Sequence, residues 1–450
     1  MTHRTRAPQA ALVACLVLAA LRADAQEPDP ETPDGGVAPA RTPGGAGPII
    51  ELPPDPPPTP PTVAVAPAPP PPGPTRGVDP LVNQEGSFAT DLGAGRRIPI
   101  GAYGELHLMR TDDHTSFNLR RVVLFFGHRF ADWAAIFTEL EVENVKEFEI
   151  EQSYLELTPF RKVRIGFRVG LVLIPLGIVN LYHEPPTFHG VDRPTVDQII
   201  IPSTWRELGA GVYGRIVDGL HFQVYAVAGA DGSKFGNFSA EDDVIGQGRV
   251  GGFGAGLSRG FTINTENVAV TGRLNYNGVL GLDVAAGFYY GSANSKEAGL
   301  DGIRLGVVEA DARFCRFGVW LRAEYARSFV TGADKITAWQ RAQQGFSPSP
   351  AVGAQGQGFY GEAGYNVLFP VRATNHELWI FGRYEHVDPR IVLPDVPNPI
   401  ESRALQLFTA GLTYRPRQEL AFKLDYRRTL AGDDGTTGRD RYSLGVAFMY

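Results

Sequence analysis

The sequence predicts an all-β protein: a transmembrane antiparallel β-barrel of about 16 strands over 98–450, preceded by a disordered Pro-rich segment. Three observations predict it. From Ile98 onward, apolar residues alternate with small or charged ones at a period of two, stretch after stretch. The connections between these stretches alternate between short and long, as in barrels with tight turns on one rim and loops on the other. The composition, with 53 glycines, 10% aromatics and 3 methionines, suits strands better than helices.

Taken in chain order, residues 1–25 read as a secretory signal. His3, Arg4 and Arg6 form a basic start, Ala10 to Leu21 an apolar run too short to span a bilayer, and Ala23-Asp24-Ala25 a cleavage site. Residues 26–80 hold twenty of the 36 prolines and no periodic pattern, so they read as a solvated linker. In polyproline II conformation this linker would reach on the order of 170 Å. Residues 81–97 form a short segment before the barrel.

Strands are expected near 98–109, 117–130, 132–143, 148–159, 162–170, 206–217, 219–230 and 266–277. The second half continues near 281–292, 302–313, 316–328, 356–368, 376–388, 402–415, 418–429 and 439–450. Their two faces differ consistently. Ile100, Ala102, Leu106 and Leu108 oppose Tyr103, Glu105 and His107; Leu420, Phe422, Leu424 and Tyr426 oppose Lys423, Asp425 and Arg427. Charges in mid-strand are costly unless their face meets water, so the charged face is assigned to a wet lumen. The residues assigned to it are Glu105, Arg121, Arg129, Glu139, Glu141, Arg164, Arg168, Arg273, Arg322, Glu324, Arg383, Glu385, Lys423, Asp425 and Arg427. This mixture of signs sets up a transverse field. Trp133, Tyr154, Tyr213, Tyr290 and Tyr414, near strand ends, are expected in aromatic girdles.

Tight turns are expected at 131–132, 159–161, 217–219, 277–280 and 416–417, and longer connections at 171–205, 231–265, 329–355 and 389–401. The segment 171–205 is unusual. It contains Ile174, Leu176, Ile178, Val179, Leu181, Tyr182 and Phe188, which a solvated loop would not need. Folded into a barrel, it would bury these and present His183, Glu184, Asp192, Arg193, Asp197 and Arg206 as a constriction.

No catalytic set emerges. Gly246-Gln-Gly248-Arg-Val-Gly251 and Gly256-Leu-Ser258-Arg-Gly260 match nucleotide-loop and nucleophile-elbow patterns, but neither sits between a strand and a helix. His183-Glu184-Pro-Pro-Thr lacks the second histidine of a zinc-protease helix, and its prolines forbid that helix. Once Cys15 leaves with the signal, Cys315 has no partner for a disulfide. No metal, cofactor or enzymatic role is therefore expected. A formal net charge of -7 gives no reason to expect nucleic-acid binding.

The final strand places Tyr442, Leu444, Val446, Phe448 and Tyr450 on one face. With Gly445, Phe448 and Tyr450 it resembles the C-terminal signal that the barrel-assembly machinery reads in bacterial outer-membrane proteins. Four further stretches resemble the phosphate-selective porin O and P family of Gram-negative outer membranes. They are Asn118-Leu-Arg-Arg-Val-Val-Leu-Phe-Phe-Gly127, Gln152-Ser-Tyr-Leu-Glu156 followed by Arg164-Ile-Gly-Phe, Ile174-Pro-Leu-Gly177, and Trp205-Arg-Glu-Leu-Gly209. The resemblance implies a sixteen-stranded homotrimer in outer-membrane lipid. It also implies a third loop folded inward and passive passage of small polar or anionic solutes, phosphate among them. The chain departs from that family in having only six lysines. With both barrel ends on the short-turn rim, the N-terminal segment is expected in the periplasm, where the Pro-rich stretch could meet the cell wall. A non-conducting structural barrel anchoring that stretch is the alternative.

Overall fold

The structure, a computed structural model, describes residues 100–450 except 113, 161–163, 237–251, 262–264, 297, 345–351, 372, 398–403 and 433–436. The expected signal, linker and pre-barrel segment, Ile98 and the Gly246–Gly251 motif lie outside the described residues. Sixteen antiparallel strands close into one barrel, each paired with its sequence neighbours. They are β1 (Ile100–Thr111), β2 (Thr115–Ala131), β3 (Ala134–Glu143), β4 (Glu147–Phe160), β5 (Ile165–Leu173), β6 (Arg206–Val217), β7 (Leu220–Ala228) and β8 (Val268–Tyr276). The remainder are β9 (Leu282–Ser292), β10 (Arg304–Arg316), β11 (Val319–Thr331), β12 (Gln355–Asn366), β13 (Glu377–Val392), β14 (Leu405–Arg417), β15 (Leu420–Ala431) and β16 (Asp440–Met449).

Local chemistry explains the turns. Between β10 and β11 the two turn residues Phe317 and Gly318 have φ of 57° and 74°, the mirror-image turn whose twist matches that of the flanking strands. The ring closes where β1 meets β16, with Tyr103 opposite Met449 and Thr111 opposite Arg441. Ala102 and Tyr450 exchange backbone hydrogen bonds at 3.0 and 2.8 Å, which satisfies the last open edge.

Outward residues are apolar and exposed around the wall, including Leu124, Ile150, Val169, Val270, Tyr290, Leu321, Ile380, Phe408 and Tyr442. A barrel in water would place such side chains inside; this one carries them as a lipid-facing surface. No helix among the described residues is long and apolar enough to cross a membrane.

The interior departs from the expected wet lumen. Towards the loop rim, Leu305, Val307, Val330, Ile336, Val352 and Leu407 from the wall and its loops join Val196, Ile200, Phe235 and Phe253 in one apolar core. Connections fold inward and fill the space, so the charged face is largely buried. Glycines on the inward face admit them. A Cβ at Gly287 would lie 2.6 Å from the Leu176 side chain, and one at Gly445 would lie 3.2 Å from Val191.

Candidate functional site

The β5–β6 connection, 174–205, meets the wall on two sides. It contains the helical turns Ile178–Leu181 and Val196–Ile199 and the 3-10 turn Pro185–Thr187. Its side towards β11–β16 offers mainly carbonyl oxygens. Lys423 Nζ donates to the Pro185 and Gly190 carbonyls at 2.7 and 2.9 Å, and Arg415 to the Pro186 carbonyl at 2.6 Å. Arg322 donates to the Thr187 carbonyl at 2.7 Å, and Arg383 to those of His189 and Asp192 at 3.4 and 3.3 Å. Proline has an acceptor and no backbone donor, so Pro185 and Pro186 turn only oxygen towards these cations. Backbone N–H groups meet the wall carboxylates instead: Val191 donates to Asp425 at 2.6 Å, Ile178 to Glu324 at 3.0 Å, and Thr195 to Glu385.

Its side towards β3 and β4 offers side chains. His183 Nε2 lies 3.4 Å from Glu151 and 3.9 Å from Glu139. It is also 2.9 Å from the Tyr103 hydroxyl, which donates to Glu151. Glu184 lies beside them, lining a cavity of about 40 Å³ with Glu139, Gln152, His183 and Arg168. His189 stacks instead among Trp320, Trp379 and Phe381. Burial, and then Arg415, Arg322, Lys423 and Arg383, hold its imidazole well below its usual range, so it is neutral.

The six expected constriction residues are all buried, but they do not converge into one ring, because the connection runs across the interior. His183 and Glu184 face β3 and β4. Asp192 faces the seam, 2.5 Å from Arg441 and 3.8 Å from His107. Against the cost of burial, Arg441 and then Arg427 hold the Asp192 carboxyl well below the usual carboxylate range. Arg193 reaches back to the His183 carbonyl at 3.4 Å. Asp197 and Glu324 both approach Gly177, and neither Asp197 oxygen has a hydrogen-bond partner. Arg206 opens β6 and pairs with Glu149 of β4.

Of the expected lining residues, Glu105, Arg121, Glu139, Glu141, Arg168, Arg273, Arg322, Glu324, Arg383, Glu385, Lys423, Asp425 and Arg427 are buried on the inward face. Two are corrections. Arg129 is exposed at the end of β2, donating to the Asp132 carbonyl, and Arg164 sits in the β4–β5 turn, 2.8 Å from Asp218. Arg129 is still paired with Ala135 within β2 but stands at the exposed rim, whereas alternation carried Arg164 past the start of β5. Tyr154 and Tyr213 are corrections to the girdle: both point inward, with the Arg168 guanidinium 5.0 and 4.3 Å from their ring centres. Trp133 and Tyr290 are exposed.

Several interior residues escaped sequence reasoning. Glu309 and Asp311 pair with the expected Arg273 at 3.0 and 2.6 Å, and Arg313 pairs with Asp283 at 2.8 Å. Alternation in β9 and β10 carried that signal. Glu151 had no such signal: it is the extra residue of a bulge opposite Glu139 and Leu140, so it and Gln152 both turn inward.

Comparison with known proteins adds a relative. An uncharacterized protein of Aquifex aeolicus (strain VF5) is 31% identical over 368 residues, covering 78% of this chain and 80% of that one. The chain belongs to the family of that protein. No protein-family model matches it. Among solved structures, Salmonella typhi OmpF, in complex with daunomycin, aligns with a TM-score of 0.52 at 13% identity, over 79% of this chain and 98% of that one. The outer membrane channel DcaP of Acinetobacter baumannii aligns at 0.48 and 13%, over 80% and 98%. The OmpF alignment places the chain among porin-type barrels in fold.

Proposed function

We propose that the chain is an outer-membrane channel of porin type, through which small polar or anionic solutes diffuse past the β5–β6 connection. The observation that carries this reading is the connection itself. It lies inside a lipid-facing barrel, held by hydrogen bonds to charges on opposite parts of the wall. The cations of β11–β16 (Arg322, Arg383, Arg415, Lys423, Arg427 and Arg441) supply an anion preference by charge alone. Phosphate as the solute rests on the family resemblance. The interior side chains at this level are buried, which leaves a narrow path past the connection. The rest of the reading places the chain in a Gram-negative outer membrane as a homotrimer inserted by the barrel-assembly machinery. The Pro-rich segment then reaches through the periplasm towards the cell wall.

The test is conductance of purified protein in planar bilayers under a salt gradient. Ohmic steps are expected, with a reversal potential that Arg206→Ala and Arg193→Ala both shift. Unchanged selectivity in both variants removes these residues from the neck. The dry interior also favours a second reading, a non-conducting barrel that anchors the Pro-rich segment. Protein that is folded by its heat-modifiable migration yet silent in bilayers supports that alternative.

A further inference from the structure

We propose that Glu139, Glu151 and His183 bind a first-row divalent cation of zinc-like ligand preference, joining β3 and β4 to the β5–β6 connection. The ligand atoms of all three lie within 4.8 Å of one another and are buried. Two ligands on one tetrahedral zinc sit roughly 3.4 Å apart at ordinary bond lengths. The His183 Nε2 to Glu151 Oε1 separation is already 3.4 Å, and Glu139 Oε2, at 3.9 Å from the same nitrogen, needs only a small approach.

The far ring nitrogen of His183 is held as in a ligating histidine. His183 Nδ1 lies 3.2 Å from the Asn180 carbonyl, which accepts only a hydrogen. A backbone carbonyl on the far ring nitrogen is the arrangement that orients ligating histidines. Tyr103 Oη lies 2.9 Å from both His183 Nε2 and Glu151 Oε2, but it has one proton, donated to Glu151. With no donor left for Nε2, the metal-free chain keeps a proton there facing the two carboxylates, and a bound cation takes that proton's place.

One atom outside the triad points independently to a missing cation. Glu184 Oε2 is buried and has no hydrogen-bond partner among the described residues, while Glu151 Oε1 meets only His183 Nε2. An orphaned carboxylate oxygen is costly in the interior. Arg121 is engaged with Glu105 and Glu141 and Arg206 with Glu149, while Arg193 donates to the His183 carbonyl and makes no hydrogen bond to these carboxylates among the described residues. The adjoining cavity of about 40 Å³ has Glu139, His183 and Glu184 in its lining, space for roughly three waters. Waters or Glu184 would complete the coordination. One imidazole with carboxylates suits zinc and its neighbours better than calcium, which takes six to eight oxygens.

The experiment uses the full chain, folded in detergent, stripped with chelator and titrated with Zn²⁺ by calorimetry and by dialysis with elemental analysis. One Zn²⁺ per chain is expected, with Ca²⁺ at the same concentration failing to compete. His183→Ala and Glu151→Gln should each weaken binding at least tenfold in protein that keeps its heat-modifiable migration. Should neither variant fold, Co²⁺ loaded into the wild-type chain decides the matter. Visible bands of four- or five-coordinate cobalt with one nitrogen ligand by X-ray absorption support the site. No stoichiometric metal, six-coordinate oxygen-only cobalt, or unchanged affinity in a folded variant overturns it. Silence in bilayers leaves these readouts untouched, so this inference and the channel reading fail separately.

Discussion

On its β3–β4 side the β5–β6 connection presents side chains, and on its β11–β16 side it presents mainly backbone, with His189 and Asp192 as the exceptions. The first contact sets His183 against Glu139 and Glu151. The second sets carbonyls from Pro185 to Asp192 against lysine and arginine. The difference has a chemical consequence. A backbone oxygen is present whatever the residue, so the basic bank grips a path of chain and tolerates substitution along it. The acidic bank depends on one imidazole. Substitutions that keep the 185–187 and 190 carbonyls in place therefore disturb the connection less than a change at His183, at Asp192 or at any wall cation.

The strongest way to break this comparison is to remove the connection. Replacing 183–193 with a flexible linker of equal length should raise single-channel conductance severalfold, because both banks then face open water. Unchanged conductance would mean that the neck lies elsewhere. Next in size is the Asp192–Arg441 pair. Arg441→Met removes the nearest partner of a buried carboxylate, a loss of about 3–5 kcal/mol, read as a lower unfolding midpoint in denaturant. Adding Asp192→Leu should recover most of that loss. Lys423→Met strips the Pro185 and Gly190 carbonyls of their donor, at about 1–3 kcal/mol for each group left unsatisfied. By contrast, Thr187→Ala, which keeps the carbonyl that Arg322 binds, should cost less than Lys423→Met in the same assay.

The smallest effect is a pH dependence. Burial, with Asp311 and Glu309 adding to it against Arg193, pushes the Asp197 carboxyl up to about 8. The folded chain holds this proton more tightly than the unfolded chain, whose value is near 3.9. Its contribution to stability is fully present below that value and is lost as pH rises towards 8. Proteolytic cleavage within 174–205 should therefore speed up between pH 6 and pH 9, and Asp197→Asn should flatten the profile.

Strand number, order and facing were legible in the sequence because a strand's side chains alternate whatever its partners are. Lys423, Asp425 and Arg427 turn inward opposite Phe422, Leu424 and Tyr426, as alternation requires. Alternation failed where the backbone interrupts it. The bulge at Glu151 hid an acidic ligand, and the rim claimed Arg129 and Arg164. The apolar content of 171–205 announced that this segment is buried. Which wall each residue meets was not legible, because those partners lie up to 238 residues away in sequence, as for Pro185 and Lys423.

The seam between β1 and β16 makes time a structural variable. Tyr103 is paired with Met449 and Thr111 with Arg441, so the earliest ribbon off the ribosome must wait for the latest before either has a full set of neighbours. Until then both present raw hydrogen-bonding margins that would adhere to any extended chain. Closing that seam removes both margins at once.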